Sequence, residues 1–219
     1  EKHAVTLQLQ PGYEAEEYLL EVGRQRITVT ASTPQAVLHG LRSLQQLVAG
    51  GEIPACVVRD KPTFAYRGAM LDVCRHFFPV EDVKTYIDIL SLHKINKFHW
   101  HLTDEPGWRI EIKKYPKLTQ IGAVGNYHDP KAPATFYTQE DIKEIVAYAA
   151  ERQIMVVPEF DMPGHATAVC RAYPEYSGGG EGRWQHFTFH PCREGTYRFI
   201  SDVPVSYTHL RAHETCADL

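Results

Sequence analysis

Apolar and polar positions alternate from Val5 to Gln10, as they do in a half-buried strand. Tyr18–Val22 and Arg26–Thr30 read as two more strands, with Ile27 and Val29 on one face of the second. The period then lengthens: Val37, Leu38, Leu41, Leu44 and Val48 recur at helical spacing. Ser32 is placed to cap this helix, with Pro34 in its first turn and Gln35 three residues after the cap. Gly50-Gly51 is placed to end it. No cluster of catalytic residue types falls here, so residues 1–62 read as a small α/β support unit.

Lys61-Pro62 marks a boundary, and from there the pattern becomes strand, helix, strand, helix, strand. Ala69–Val73 is a short buried strand. Val83, Tyr86, Ile87 and Leu90 then share a helical face, with Glu81 and Asp82 in the first turn. Lys97–Leu102 is the second strand, and a long connection runs from Thr103 to about Tyr137. Thr138 and Asp141 form a capping box for a helix carrying Ile142, Ile145, Val146 and Ala149. Ile154–Phe160 is the third strand. Near-continuous apolar strands alternating with amphipathic helices predict a parallel sheet covered on both faces, as in a (β/α)₈ barrel. A full barrel takes about 250 residues, and only about 140 follow the boundary, so the pattern fits either an open α/β sheet or the first part of a barrel.

Thr196–Val203 begins another helical pattern, and its apolar face is read as stopping after Phe199 and Ile200. Residues 63–204 are therefore taken as barrel, and 205–219 as a non-native tail. The opening Glu1-Lys2-His3 has neither an initiator Met nor the features of a signal peptide, so the chain is expected to begin inside a longer product or after processing. An isolated incomplete barrel is expected to be poorly soluble, because its last strand presents an open edge.

The formal net charge of −4 comes without a basic run, which argues against a nucleic-acid partner. No apolar stretch is long enough to span a membrane. Cys56, Cys74, Cys170, Cys192 and Cys216 form no CxxC pair, so a zinc knuckle or redox motif is unsupported, while one disulfide stays open.

Chemistry gathers where barrel strands end. The first strand carries Arg67 at its start and Asp72, Arg75 and His76 at its end. The second ends in His99-Trp100-His101-Leu102-Thr103-Asp104-Glu105, and the third in Glu159-Phe160-Asp161-Met162-Pro163-Gly164-His165. His99 and His101 share a strand face, which suits either a metal, as in amidohydrolase barrels, or a pair of satisfied core histidines. Asp72 and Arg75 suit a structural ion pair. Asp161 suits either a turn cap or a pocket wall. Asp104 can orient and charge-stabilise His165, and such a dyad needs a third member before it does chemistry.

These strand ends resemble those of the β-N-acetylhexosaminidases of glycoside hydrolase family 20. Residues 66–78, YRGAMLDVCRHFF, resemble the family's RGxxLDxxRHF strand. HWHLTDE followed by Gly107-Trp108-Arg109 resembles HWHLTDDQGWR, and PEFDMPGH resembles PExDxPGH. Glu105-Pro106 stands where the family has Asp-Gln, which alters the loop's fine geometry. The resemblance implies that Arg67 binds sugar hydroxyls, that Asp104 and His165 form a relay behind the catalytic acid, and that Asp161 and His101 shape the pocket. It implies a substrate-assisted, retaining mechanism in which the substrate's acetamide attacks the anomeric carbon. It implies a glycan bearing a terminal N-acetylhexosamine as partner, no metal or other cofactor, and a secreted, periplasmic or cell-surface location. The family's Asp-Glu pair lies in a GGDE motif that these residues do not contain, so the 219-residue chain is expected to be inactive by itself. A metal-dependent amidohydrolase using His99 and His101, or a non-catalytic carbohydrate-binding protein with Trp108, Tyr127 and Tyr137 as platform, are the alternatives.

Overall fold

The computed structural model describes residues 4–48 and 51–211. Strands β1 (Ala4–Leu9), β2 (Tyr18–Val22), β3 (Arg26–Ala31) and β4 (Cys56–Asp60) form one sheet in the order β1-β3-β2-β4. β1 runs parallel to β3, and β2 antiparallel to both β3 and β4. Helix α1 (Pro34–Leu47) covers one face, packing Ala36, Val37 and Leu44 on Tyr18, Leu20, Val22 and Val29. A Cβ at Gly40 would stand 2.5 Å from Val29 Cγ1, so only glycine lets the helix come this close. Thr33, not Ser32, caps α1 by accepting from the Ala36 amide. Ser32 is diverted to the preceding loop, where its hydroxyl accepts from the Tyr13 amide.

The second sheet holds β5 (Gly68–Asp72), β6 (Lys97–Thr103) and β7 (Met155–Phe160), all parallel and in chain order. Helices α2 (Val80–Leu92) and α3 (Gln139–Glu151) connect them. Period-2 alternation sends Phe98, Trp100, Leu102 and Val156 to the helix-covered side, where they bury against Val83, Ile87, Ile142 and Ile145. The architecture is therefore mixed α/β: a small α/β unit followed by the first three βα units of an incomplete (β/α)₈-type barrel. The Thr138–Asp141 capping box forms as expected.

After β7 come the short helix α4 (Thr167–Ala172), which the sequence pattern did not reveal, and α5 (Glu194–Arg211). Helix α5 does not stop at Val203. Its apolar face continues through Val203 and Tyr207, and Tyr207 is only 5% exposed against Phe160. Residues 212–219 lie outside the described residues, and with them Cys216. Among the described residues Cys56, Cys74, Cys170 and Cys192 are free thiols, and no helix is long and apolar enough to cross a membrane.

The two units meet at the N-terminal ends of β5 and β6. Arg67 pairs with Glu16, Lys94 reaches Asp60 and the Tyr18 hydroxyl, and Gln46 Nε2 donates to the Leu92 carbonyl. The α/β unit thus braces the end of the sheet opposite the polar strand ends.

Candidate functional site

Parallel register places Asp72 opposite His101 and His101 opposite Glu159, so three polar side chains form one row across the sheet. The ladder is irregular between His101 and Thr103, and just past it β6 delivers Asp104. Asp104 is 2% exposed, and four donors converge on its carboxylate. Oδ1 accepts from the Glu105 amide at 2.6 Å and faces His165 Nδ1 at 3.0 Å. Oδ2 faces His101 Nε2 at 2.8 Å and Arg75 Nη1 at 2.5 Å. Burial would raise the pKa of Asp104, but His101, the Glu105 amide, Arg75 and His165 together hold it below the ordinary range.

His101 is the centre of this cluster. Burial pulls its pKa down, but Asp104 and Glu159 prevail, and it is pushed up to about 9. The ring therefore carries a proton at neutral pH. Its Nδ1 lies 2.8 Å from Glu159 Oε2 but outside hydrogen-bonding direction, so this contact is chiefly electrostatic. His99 Nε2 approaches the same Glu159 oxygen at 2.5 Å. The two histidines thus share one carboxylate instead of facing an open ligand position.

His165 sits on the turn after β7 with φ of +50°, a conformation uncommon outside glycine. Its side chain is partly open to solvent, and its ring packs 4.8 Å from that of Phe187. Such strain persists where surrounding contacts fix it, here the Asp104 contact and the Ala166 amide donating to the Phe187 carbonyl. Asp161 lies beside the dyad, its Oδ2 4.0 Å from His165 Nδ1, while its amide donates to Thr103 Oγ1.

Arg67 does not join this group, which corrects the expectation that it binds sugar. It precedes β5, at the opposite end of the strand, and its guanidinium is held by Glu16 and by the carbonyls of Lys94 and Phe64. Arg75 is the arginine on the rim. It pairs with Asp72 at 2.8 Å and with Asp104 at 2.5 Å, and its side chain is 36% exposed, so part of the guanidinium remains open. The sequence carried the signal, since Arg75 follows the strand and Arg67 precedes it. Glu159, named at the end of the third strand, was given no role there, although the register sets it opposite His101 and its carboxylate meets both His99 and His101.

The rim is fixed from below by Gly107 and Arg109. Arg109 is wholly buried and donates to the carbonyls of Ala123, Thr135, Cys74 and Gly125. It thereby ties the long connection after β6 to the exit of β5. A Cβ at Gly107 would stand 2.3 Å from the Arg109 guanidinium, so glycine is required there. Trp108 and Tyr137 are 1% and 0% exposed, which removes both from any carbohydrate-stacking platform; Tyr127 alone of the three is exposed.

His101, Asp104 and Asp161 offer ligand atoms close enough for a cation, as do Asp72, Cys74 and His101. In both sets carboxylate oxygens are already engaged by Arg75, and an ion would have to displace that guanidinium. A cavity of about 550 Å³ at the other end of the sheet is lined by Glu16, Asn96, Gln153 and Met155, and none of the rim residues lines it.

The family model for the glycosyl hydrolase family 20 catalytic domain matches residues 64–215, and that for domain 2 of the same family matches residues 1–61. The chain is 38% identical over 229 aligned residues to a beta-hexosaminidase of Porphyromonas gingivalis, covering 93% of this chain and 30% of that protein. It is 40% identical over 239 residues to a beta-hexosaminidase of Vibrio furnissii, covering 96% and 39%. The crystal structure of the exo-β-N-acetylglucosaminidase of Vibrio harveyi in complex with N-acetylglucosamine superposes with a TM-score of 0.86 at 34% identity, covering 94% of this chain and 36% of that one. The chain spans about a third of the length of the curated relatives it matches.

Proposed function

We propose that this chain, which belongs to glycosyl hydrolase family 20, supplies the acid-orienting half of the active site of a retaining β-N-acetylhexosaminidase. The Asp104–His165 contact at 3.0 Å carries this reading. The buried, ionised Asp104 fixes the His165 ring through Nδ1 and leaves Nε2 to meet a further group. An imidazole held in this way can bond to a carboxylic acid and modulate its proton affinity as it protonates a glycosidic oxygen. The 219 residues contain no GGDE sequence, so their part in the reaction is to orient the acid and not to supply it.

The substrate class follows from the same chemistry. A glycan with a terminal N-acetylhexosamine brings its own nucleophile in the acetamide oxygen, so the protein needs none. This accords with a rim furnished with carboxylates, imidazoles and a guanidinium. The partly open Arg75 is placed to donate to sugar hydroxyls, and its fork geometry suits paired oxygens. Asp72 and Asp104 hold it in position, and with its side chain 36% exposed part of the guanidinium still faces solvent.

Turnover of 4-nitrophenyl N-acetyl-β-glucosaminide by the whole protein carrying this chain tests the proposal. Asp104→Asn is expected to lower kcat by about 10²-fold or more with a smaller change in KM, because the relay acts in the transition state. The 219 residues alone are expected to release no 4-nitrophenol. An unchanged kcat in Asp104→Asn would refute the relay, and the absence of turnover in the whole protein would refute the activity.

A further inference from the structure

The turn that carries His165 is held from outside by a later segment of the chain. Residues 177–189, between α4 and α5, fold back on themselves. The Gly178 amide donates to the Thr188 carbonyl, and the His186 amide to that of Gly179. Ser177 Oγ accepts from the Gly179 amide and meets His186 Nδ1 at 2.7 Å. A Cβ at Gly178 would stand 3.0 Å from the Phe189 carbonyl oxygen, so the two limbs close on a glycine. Phe189 anchors the segment. It is 3% exposed, and its ring lies 5.6 Å from that of Phe199 on α5.

Two hydrogen bonds fasten this segment to the turn. The Ala166 amide donates to the Phe187 carbonyl and the Phe189 amide to that of Pro163, so they bracket Gly164 and His165. Between them the Phe187 ring covers both residues. A Cβ at Gly164 would touch it at 3.5 Å, and its centroid stands 4.8 Å from that of His165 with the planes 59° apart. The Trp184 ring backs it edge-on at 5.1 Å. Phe187 is not among the side chains packed on the main core, so its large apolar face is spent on the imidazole and on Trp184. The imidazole needs such a second contact. Its outer torsion is intrinsically soft, and a single bond from Asp104 to Nδ1 fixes one edge of the ring but not its plane.

We propose that Phe187 is a positioning residue for the acid relay: pressed on the face of the His165 imidazole, its ring fixes the plane in which Nε2 points, while Asp104 fixes the edge. The inference rests on the reading of His165 as partner of the catalytic acid. Phe187 acts through His165 alone. A misaligned Nε2 would meet the acid out of line, and small misplacements of this kind are costly in rate.

The test compares two glycosides in the whole protein that differ in their need for a proton. Methyl N-acetyl-β-glucosaminide releases methanol only as its glycosidic oxygen is protonated, whereas 2,4-dinitrophenyl N-acetyl-β-glucosaminide releases a stable phenolate without that help. Phe187→Ala is expected to lower kcat on the methyl glycoside about tenfold with KM within about twofold, and to leave kcat on the dinitrophenyl glycoside within about twofold. Phe187→Tyr keeps the ring and is expected to restore the methyl glycoside value. In a His165→Ala background, Phe187→Ala should cost nothing further, because no imidazole is left to hold. Melting temperatures are followed in parallel, and Phe187→Leu carries the same comparison if the alanine variant does not fold. Equal loss on both glycosides, no loss on either, or a full further loss in the His165→Ala background would overturn the positioning role while leaving the hexosaminidase reading intact. Failure of the unsubstituted protein to cleave either glycoside would overturn both.

Discussion

Arg67 and Arg75 flank β5, one at each end, and their surroundings assign them opposite tasks. Arg67 spends its donors on Glu16, Lys94 and Phe64 and joins the two units. Arg75 keeps part of its guanidinium open beside Asp104 and His101. Arg67→Met is therefore expected to lower the melting temperature of the whole protein and to leave kcat/KM on 4-nitrophenyl N-acetyl-β-glucosaminide within about twofold. Arg75→Met is expected to lower kcat/KM by about 10²-fold, the loss of one or two charge-assisted hydrogen bonds. A larger activity loss in Arg67→Met than in Arg75→Met would reverse the assignment. The confusion between them has a physical origin. Both are arginines in one recognisable stretch, and a motif does not say which end of a strand faces the chemistry. Parallel-sheet polarity does, because rim residues follow their strands. The contact between Asp104 and His165 was legible for that reason, while the protonated state of His101 depends on Glu159 across a register that only coordinates supply.

The elements that read most clearly are those whose signals are local. The Thr138–Asp141 capping box and the apolar faces of α2 and α3 depend on residues within a turn or two of each other. Strand β4 escaped because its outward-facing Val57 is as apolar as its neighbours, so Cys56-Val57-Val58 shows no alternation of residue type although burial alternates there. The continuation of α5 was missed because Pro204 interrupts the pattern, yet Tyr207 still reaches Phe160. The long connection after β6 was read as loop and is better described as a stapled element. Its integrity depends on Arg109, whose charge is buried among carbonyls that have no other charged donor at hand. Arg109→Met is expected to destabilise the whole protein by roughly 3 kcal/mol, since it leaves several acceptors desolvated and unmade. Gly107→Ala is expected to cost roughly 2 kcal/mol through overlap with that guanidinium. The two share one contact, so the double variant should lose about as much as Arg109→Met alone. Denaturant unfolding of the four proteins measures this, and strict additivity would show that Gly107 matters for some other reason.

At the scale of the molecule, the rim charges are what hold three strand ends together. Arg75 follows β5, His101 and Asp104 belong to the end of β6, and Glu159 to β7, and these charges form one alternating cluster. Its pH response can be worked out from the shifts. His101 titrates near 9 in the folded protein, above its unfolded value of about 6.5. The stability it contributes is fully present below that unfolded value and is lost as pH rises through about 9. Asp104 and Glu159 have the opposite sense: their folded pKa values are held below the unfolded ones, so their contribution is present above about pH 4 and fades in acid. The melting temperature of the whole protein should therefore fall on both sides of a plateau running from about pH 5 to 7. His101→Gln keeps a polar side chain of similar reach but cannot be charged, and it should flatten the alkaline limb specifically while leaving the acid limb in place. An alkaline limb of undiminished depth in that variant would locate its source elsewhere. The same proton also governs the site, because it supplies part of the positive charge that keeps Asp104 ionised beside His165. Loss of stability and loss of kcat are thus expected to begin together as pH climbs toward 9, each reporting the imidazolium that links β6 to β7.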